Sequence, residues 1–213
     1  MVGGKGIGER PFLLMQAGLV RSLMLLCVLA APVFLAGCGG VQYARLDPSM
    51  KSYRPASIGL LPIDVGSCPE ASTVVDEIIH SRLVKTKKYS SVVALDSVRD
   101  KIASDKQLQM TLLEYLTKFR TLSYSDPELS RKIGEAFAVE ALLIVSVTAW
   151  NYAVEGDEKV AKTGLVMNLV DAKTGKIVWK ASHCESEDYL FIRPDLSGIG
   201  EDCIDRMLGS MPR

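Results

Sequence analysis

VEALLIVSVTAW, residues 139–150, is the stretch that decides the fold. Residues 141–145 are all apolar, and beyond them apolar and polar side chains alternate. A short run of that kind reads as a central, buried strand. Downstream of it, TGLVMNLVD (163–171) and KIVWKASH (176–183) flank the link AKTGK (172–176). Two such runs around a glycine-containing link predict an antiparallel hairpin, with Gly175 taking the positive φ of the turn. The final stretch, PDLSGIGEDCIDRMLGSM (194–211), sets Leu196, Ile199, Cys203 and Met207 on one helical face.

Upstream, SIGLLPID (57–64) is a first strand closed by Pro62 and Asp64. PEASTVVDEIIHSRLVKT (69–86) is an amphipathic helix with Val75, Ile79 and Leu83 in register and Ile78 beside them. Its acid lies near the start and its lysines at the end, as the helix dipole favours. YSSVVAL (89–95) reads as a second strand, after which Asp96 can cap the short SVRDKIASD. Longer helices follow at 106–120, with Leu112, Leu116 and Phe119 inward and Leu113 alongside, and at 126–138, where Asp126 caps and Pro127 opens the first turn. With the long helices counted, the predicted order is β-α-β-α-α-β-β-β-α. That order predicts an α/β (α+β) domain, a mixed sheet with helices packed on it and a C-terminal antiparallel hairpin.

The N-terminal part has another character. From 23 to 36, LMLLCVLAAPVFLA carries no charge, and Arg21 precedes it. A basic start, an apolar core and a small-residue exit describe a secretory signal peptide over residues 1–37. The run is short for a permanent span, which needs about 20 apolar residues. A start at Met15 would give a signal of conventional length, so residues 1–14 read as an over-extended start. Leu35-Ala36-Gly37-Cys38 resembles the bacterial lipobox. The resemblance implies cleavage before Cys38, a diacylglycerol on its sulfur and, in a Gram-negative cell, an acyl chain such as palmitate on its amine. Gly39 follows where inner-membrane retention usually shows Asp, which points to the periplasmic face of the outer membrane. GGVQYARLDPSMKSYRPA (39–56) lacks a sustained period and reads as a tether from Cys38, leaving 57–213 as a single periplasmic domain.

The whole chain has 25 basic and 25 acidic residues; residues 1–37 hold Lys5, Arg10 and Arg21 against Glu9, so the remainder has a small excess of acid. Such a surface has no overall pull toward nucleic acid. Catalysis needs convergent groups, and few are offered. His80 reads as a boundary residue on its helix, and His183 and Cys184 should point to opposite faces of their strand. The acidic neighbours Asp76-Glu77, Asp157-Glu158 and Glu201-Asp202 read as solvated faces, and Trp150 and Trp179 as core. No spacing supports a metal site or cofactor. Export permits a disulfide among Cys68, Cys184 and Cys203; the pair guessed is Cys184–Cys203, against the alternative of three buried thiols. WNYAVEGDEK (150–159) reads as a loop of the kind that carries binding residues.

Taken in order, SIGLLPID, the amphipathic helix, YSSVVALDSVRDKI, AFAVEALLIVSV and LVDAKTGKIVW resemble a group of exported bacterial proteins. The group includes the lipoprotein activator of peptidoglycan synthases, the curli secretion channel subunit and the N-terminal domain of the Tol translocation protein. Asp171, Thr174 and Gly175 match the group's hairpin turn. The resemblance implies a mixed sheet with helices and a non-catalytic role through protein contacts at the envelope. It leaves an adaptor or regulator as the first expectation, with a lipid-held membrane contact and an envelope partner or self-association. A subunit of an oligomeric secretion or transport assembly is the alternative. A membrane-spanning hairpin of such a channel would have to lie at 104–125, where the period is helical instead. An unrecognised periplasmic enzyme or metal-binding protein is the third reading.

Overall fold

The computed structural model describes residues 41–212. Their strands are Tyr43–Leu46 (β1), Ser57–Leu60 (β2), Ser91–Val93 (β3), Ala141–Glu155 (β4), Glu158–Asp171 (β5) and Ile177–Tyr189 (β6). Their α-helices are Ala71–Thr86 (α1), Leu95–Ser104 (α2), Lys106–Leu122 (α3), Pro127–Phe137 (α4) and Leu196–Ser210 (α5). The six strands form one mixed sheet in the order β1-β6-β5-β4-β2-β3. β2 runs parallel to β3 and β4, and the other neighbours are antiparallel. The α/β class and the C-terminal hairpin are as the apolar pattern predicts.

Residues 141–145 are all buried, as a central strand must be, with β2 on one side and β5 on the other. β4 then bulges: Val147 pairs with Leu165 but Ala149 pairs with Gly164. The extra residue, Thr148, shifts the alternation by one position. Trp150 therefore lies opposite Thr163, on the face shared with Leu165, beneath α5. Gly200 of α5 rests on that indole, where an added Cβ would lie 2.5 Å from the ring. Only a glycine lets this helix approach so closely.

Local chemistry sets the helix starts. The Asp126 carboxylate accepts from the amides of Glu128 and Leu129 at 3.0 and 3.2 Å, so α4 begins on a cap followed by proline. The Lys118 ammonium, 2.9 Å away, holds that carboxyl below the usual range, together with the two amides. At the β5–β6 link, Gly175 has φ +69 and donates to the Asp171 carbonyl at 2.8 Å. Pro127 leaves no room there for a side chain.

Four details differ from the expectation. The stretch read as a tether is partly structured: Tyr43–Leu46 pairs with β6, and Asp47 donates to the Val178 carbonyl at 2.8 Å. Its sequence hides this because an edge strand needs no apolar alternation on its open side. SVRDKIASD belongs to a full helix, α2, and Asp96 lies within its first turn rather than at the cap. Tyr115, not Leu113, fills the inner face of α3 beside Leu108 and Leu112; Leu113 is exposed. WNYAVEGDEK is mostly strand, since β4 and β5 continue to a tight turn at 156–157.

Candidate functional site

β4, β5 and β6 continue well past the registers where β2 and β3 stop, giving the sheet a covered end and a free-standing end. At the free-standing end β6 finishes at Tyr189, and six residues lead to α5. Leu190, Phe191 and Ile192 in that link are 79%, 96% and 86% exposed, and Val154 nearby on β4 is 69% exposed. The link is nonetheless fixed. The Tyr152 hydroxyl donates to the Pro194 carbonyl at 2.8 Å, and the Arg193 guanidinium lies 4.9 Å from the Tyr152 ring centre. Tyr152 meets Tyr189 edge-on at 5.9 Å. Three apolar side chains are thus presented outward from a support of two tyrosines and a cation–π contact. Acids dominate the surroundings: Glu155, Asp157, Glu158, Glu187 and Asp188 against Lys159, Lys162 and Arg193, with Lys162 paired to Glu155 at 2.6 Å.

A second cluster ties the N-terminal edge to the domain. His183, 5% exposed, accepts from the Gln42 amide through Nδ1 at 3.3 Å. Its proton therefore sits on Nε2, which donates to Glu185 at 2.6 Å. Arg206 of α5 reaches the same carboxylate at 3.5 Å. The Cys203 thiol lies 3.6 Å from the His183 carbonyl. Each polar group of the imidazole is used, so His183 joins β6 to the residue before β1 and, through Glu185, to α5. It is a clamp, with no open approach for a substrate.

Cys68, Cys184 and Cys203 are free thiols, so the guessed Cys184–Cys203 disulfide is not formed. The reason is geometric: His183 and Glu185 face α5, which carries Cys203, whereas Cys184 faces the other side of the sheet opposite Gly164. A metal site from His183, Cys184 and Cys203 fails for the same reason. Burial pushes the Cys203 thiol up to about 12 and raises that of Cys184. Thiols held protonated in this way are poor nucleophiles. Among the described residues no group of His, Cys, Asp and Glu is placed to hold a metal ion, and no helix is long and apolar enough to cross a membrane.

A cavity of about 620 Å³ opens beside Tyr53, Arg131, Glu140 and Asp171. Several of its polar groups are engaged with one another. The Tyr53 hydroxyl donates to the Glu140 carbonyl at 2.9 Å and to Asp171 at 3.3 Å, and Arg131 pairs with Glu135 at 2.7 Å. These contacts fasten the link before β2 to the hairpin turn.

Leu35, Ala36, Gly37 and Cys38 lie outside the described residues. His80 is half-buried on α1, as a boundary residue should be. Asp76 is not solvated but buried, with Oδ1 lacking a hydrogen bond, and burial raises its carboxyl. Glu201 and Asp205 grip Arg82, each at 2.7 Å, and so fasten α5 to α1. The tip at 190–192 escaped the sequence reading. Its signal is an apolar run, YLFI, set between a strand and Arg193-Pro194, where no core-facing period explains it.

No family model and no curated protein matches the sequence. The fold, however, is shared with a solved structure. The chain is similar to the PelC dodecamer from Paraburkholderia phytofirmans, with TM-score 0.50 and 16% identity over 80% of this chain and 95% of that one. Lipoprotein GNA1162 from Neisseria meningitidis superposes with TM-score 0.46 and 16% identity, over 74% of this chain and 100% of the other. The LpoB C-terminal domain from Salmonella enterica gives TM-score 0.37 and 16% identity, over 61% and 82%. At 16% identity the likeness to PelC is one of fold alone.

Proposed function

We propose that the protein is a lipoprotein of the cell envelope, anchored through Cys38 at the periplasmic face of the outer membrane, and that it works non-catalytically through contacts of its domain. The observation that carries this reading is the short distance between anchor and domain. Val41 and Gln42 already belong to the described structure, and Gln42 is held by His183. Cys38 precedes Gln42 by four residues, a reach of at most about 14 Å. A lipid at Cys38 would therefore seat the domain against the membrane instead of at the end of an 18-residue tether. A juxtamembrane contact domain suits an adaptor or regulator.

The test is mass spectrometry of the N-terminus together with light scattering of the full chain extracted in mild detergent. An acylated Cys38 on a monomer or dimer, alone or with a second protein, supports the reading. An unmodified N-terminus retaining residues 1–37 overturns it. A large closed ring would favour the second reading, a subunit of an envelope assembly. That reading draws on the fold shared with PelC, whose solved form is a dodecamer.

A further inference from the structure

The direction of β1 sets the way the described chain runs where it begins. β1 is antiparallel to β6, with Tyr43 opposite Ser182 and Leu46 opposite Trp179. Traced backward from Leu46 to Val41, the chain therefore runs toward the C-terminal end of β6. That end carries Leu190, Phe191 and Ile192. From His183, beside Gln42, to Tyr189 the strand covers six residues, about 20 Å. The link from Gln42 to Cys38 spans at most about 14 Å. A lipid on Cys38, within that reach of Gln42, would bring close to the membrane the end of the sheet that carries three exposed apolar side chains beside the β4–β5 turn.

We infer that Leu190, Phe191 and Ile192 form a membrane-inserting tip that dips into the acyl boundary beside the lipid anchor. This rests on the anchoring proposed above. The surroundings suit such a position. Tyr152 and Tyr189 line the same cleft as Leu190 and Phe191, and amphipathic rings favour the headgroup layer. Arg193 packs on the Tyr152 ring and can turn its charge to the phosphates. The local excess of acid excludes attraction to anionic lipid as the driving force. Insertion is therefore apolar, indifferent to salt and sufficient on a zwitterionic surface.

The experiment places a tryptophan at the tip, Phe191→Trp, in the full acylated chain reconstituted into phosphatidylcholine vesicles with and without acyl-chain-brominated phosphatidylcholine. Trp150 and Trp179 are buried, so the wild-type spectrum supplies the background. The expected result is blue-shifted emission from position 191, quenched by the brominated lipid and unchanged at high salt. Serine at both 190 and 192 in the same background should lower the lipid-exposed fraction roughly tenfold or more. Emission that stays at the aqueous wavelength and is quenched by a water-soluble quencher overturns the inference. A blue shift without bromine quenching overturns it too, because the tip is then buried on protein. Mass spectrometry of the same sample separates the two readings. An acylated chain with an aqueous tip leaves the anchor standing and removes the tip's role; an unacylated chain with a quenched tip does the reverse.

Discussion

The two ends of the long strands obey different rules. At the covered end β4 reads Ala141-Leu142-Leu143-Ile144-Val145, buried on both faces, with parallel β2 beside it and helices packed on the sheet. At the other end the same strand reads Asn151 to Glu155, exposed or half-buried, and its one partner among the described residues is antiparallel β5. The difference teaches which part of the molecule supplies stability and which is left to meet something else. A strand end that is hydrogen-bonded to its neighbours but not packed beneath helices keeps its shape through the ladder, so its side chains need not be apolar. The exposed apolar residues there, Val154 and Leu190 to Ile192, are not serving the core.

The contrast is broken most severely at the covered end. Leu143 is fully buried between β2 and β5. Leu143→Ala removes its contacts and leaves a cavity, and should cost about 2–5 kcal/mol. A denaturant midpoint shifted far down at unchanged slope is the expected outcome. Gly200→Ala comes next. Its methyl would meet the Trp150 ring, so α5 must lift or the indole must turn, at about 1–3 kcal/mol. Because Trp150 is the lever, its near-ultraviolet circular dichroism should change along with the melting temperature.

These two positions also show what was legible in the sequence. Leu143 sits in a run whose apolarity alone predicts burial, and Asp126-Pro127 and Asp171-x-x-Thr174-Gly175 announce a helix start and a turn within a few residues. Trp150 reads as core, but the helix lying on it does not follow from local pattern, because the bulge at Thr148 decides which face it joins. β1 was illegible for a related reason. Its register is fixed by partners about 140 residues away, at Trp179 to Ser182, and Tyr-Ala-Arg-Leu carries no alternation to reveal it. The tip was overlooked because exposed apolar residues have no period to detect.

A smaller effect, set by proton binding, sharpens the contrast further. Burial raises both the Cys203 thiol and the Tyr115 hydroxyl to about 12, from ordinary values of 9.0 and 10.0. The native chain keeps these protons where the unfolded chain would release them. Their contribution is complete below pH 9 and is lost as pH rises toward 12. Melting temperature should therefore begin to fall above pH 9. Cys203→Ala should make the fall above pH 9 shallower, leaving Cys184 and the tyrosines to carry the rest; a fall unchanged by that substitution would refute the assignment.

The smallest effect is expected at the tip, and it tests the distinction most directly. Phe191 is 96% exposed, so replacing it with serine removes almost no buried surface. The Tyr152–Pro194 hydrogen bond and the Arg193–Tyr152 contact that fix the link do not involve its ring. Phe191→Ser should then change unfolding free energy by no more than about 0.5 kcal/mol, the ordinary range for a surface site. A loss of several kcal/mol would mean that the apolar tip is part of the domain's own packing, and the two ends would no longer differ in kind. A neutral result leaves a large aromatic side chain that the fold does not need for its stability.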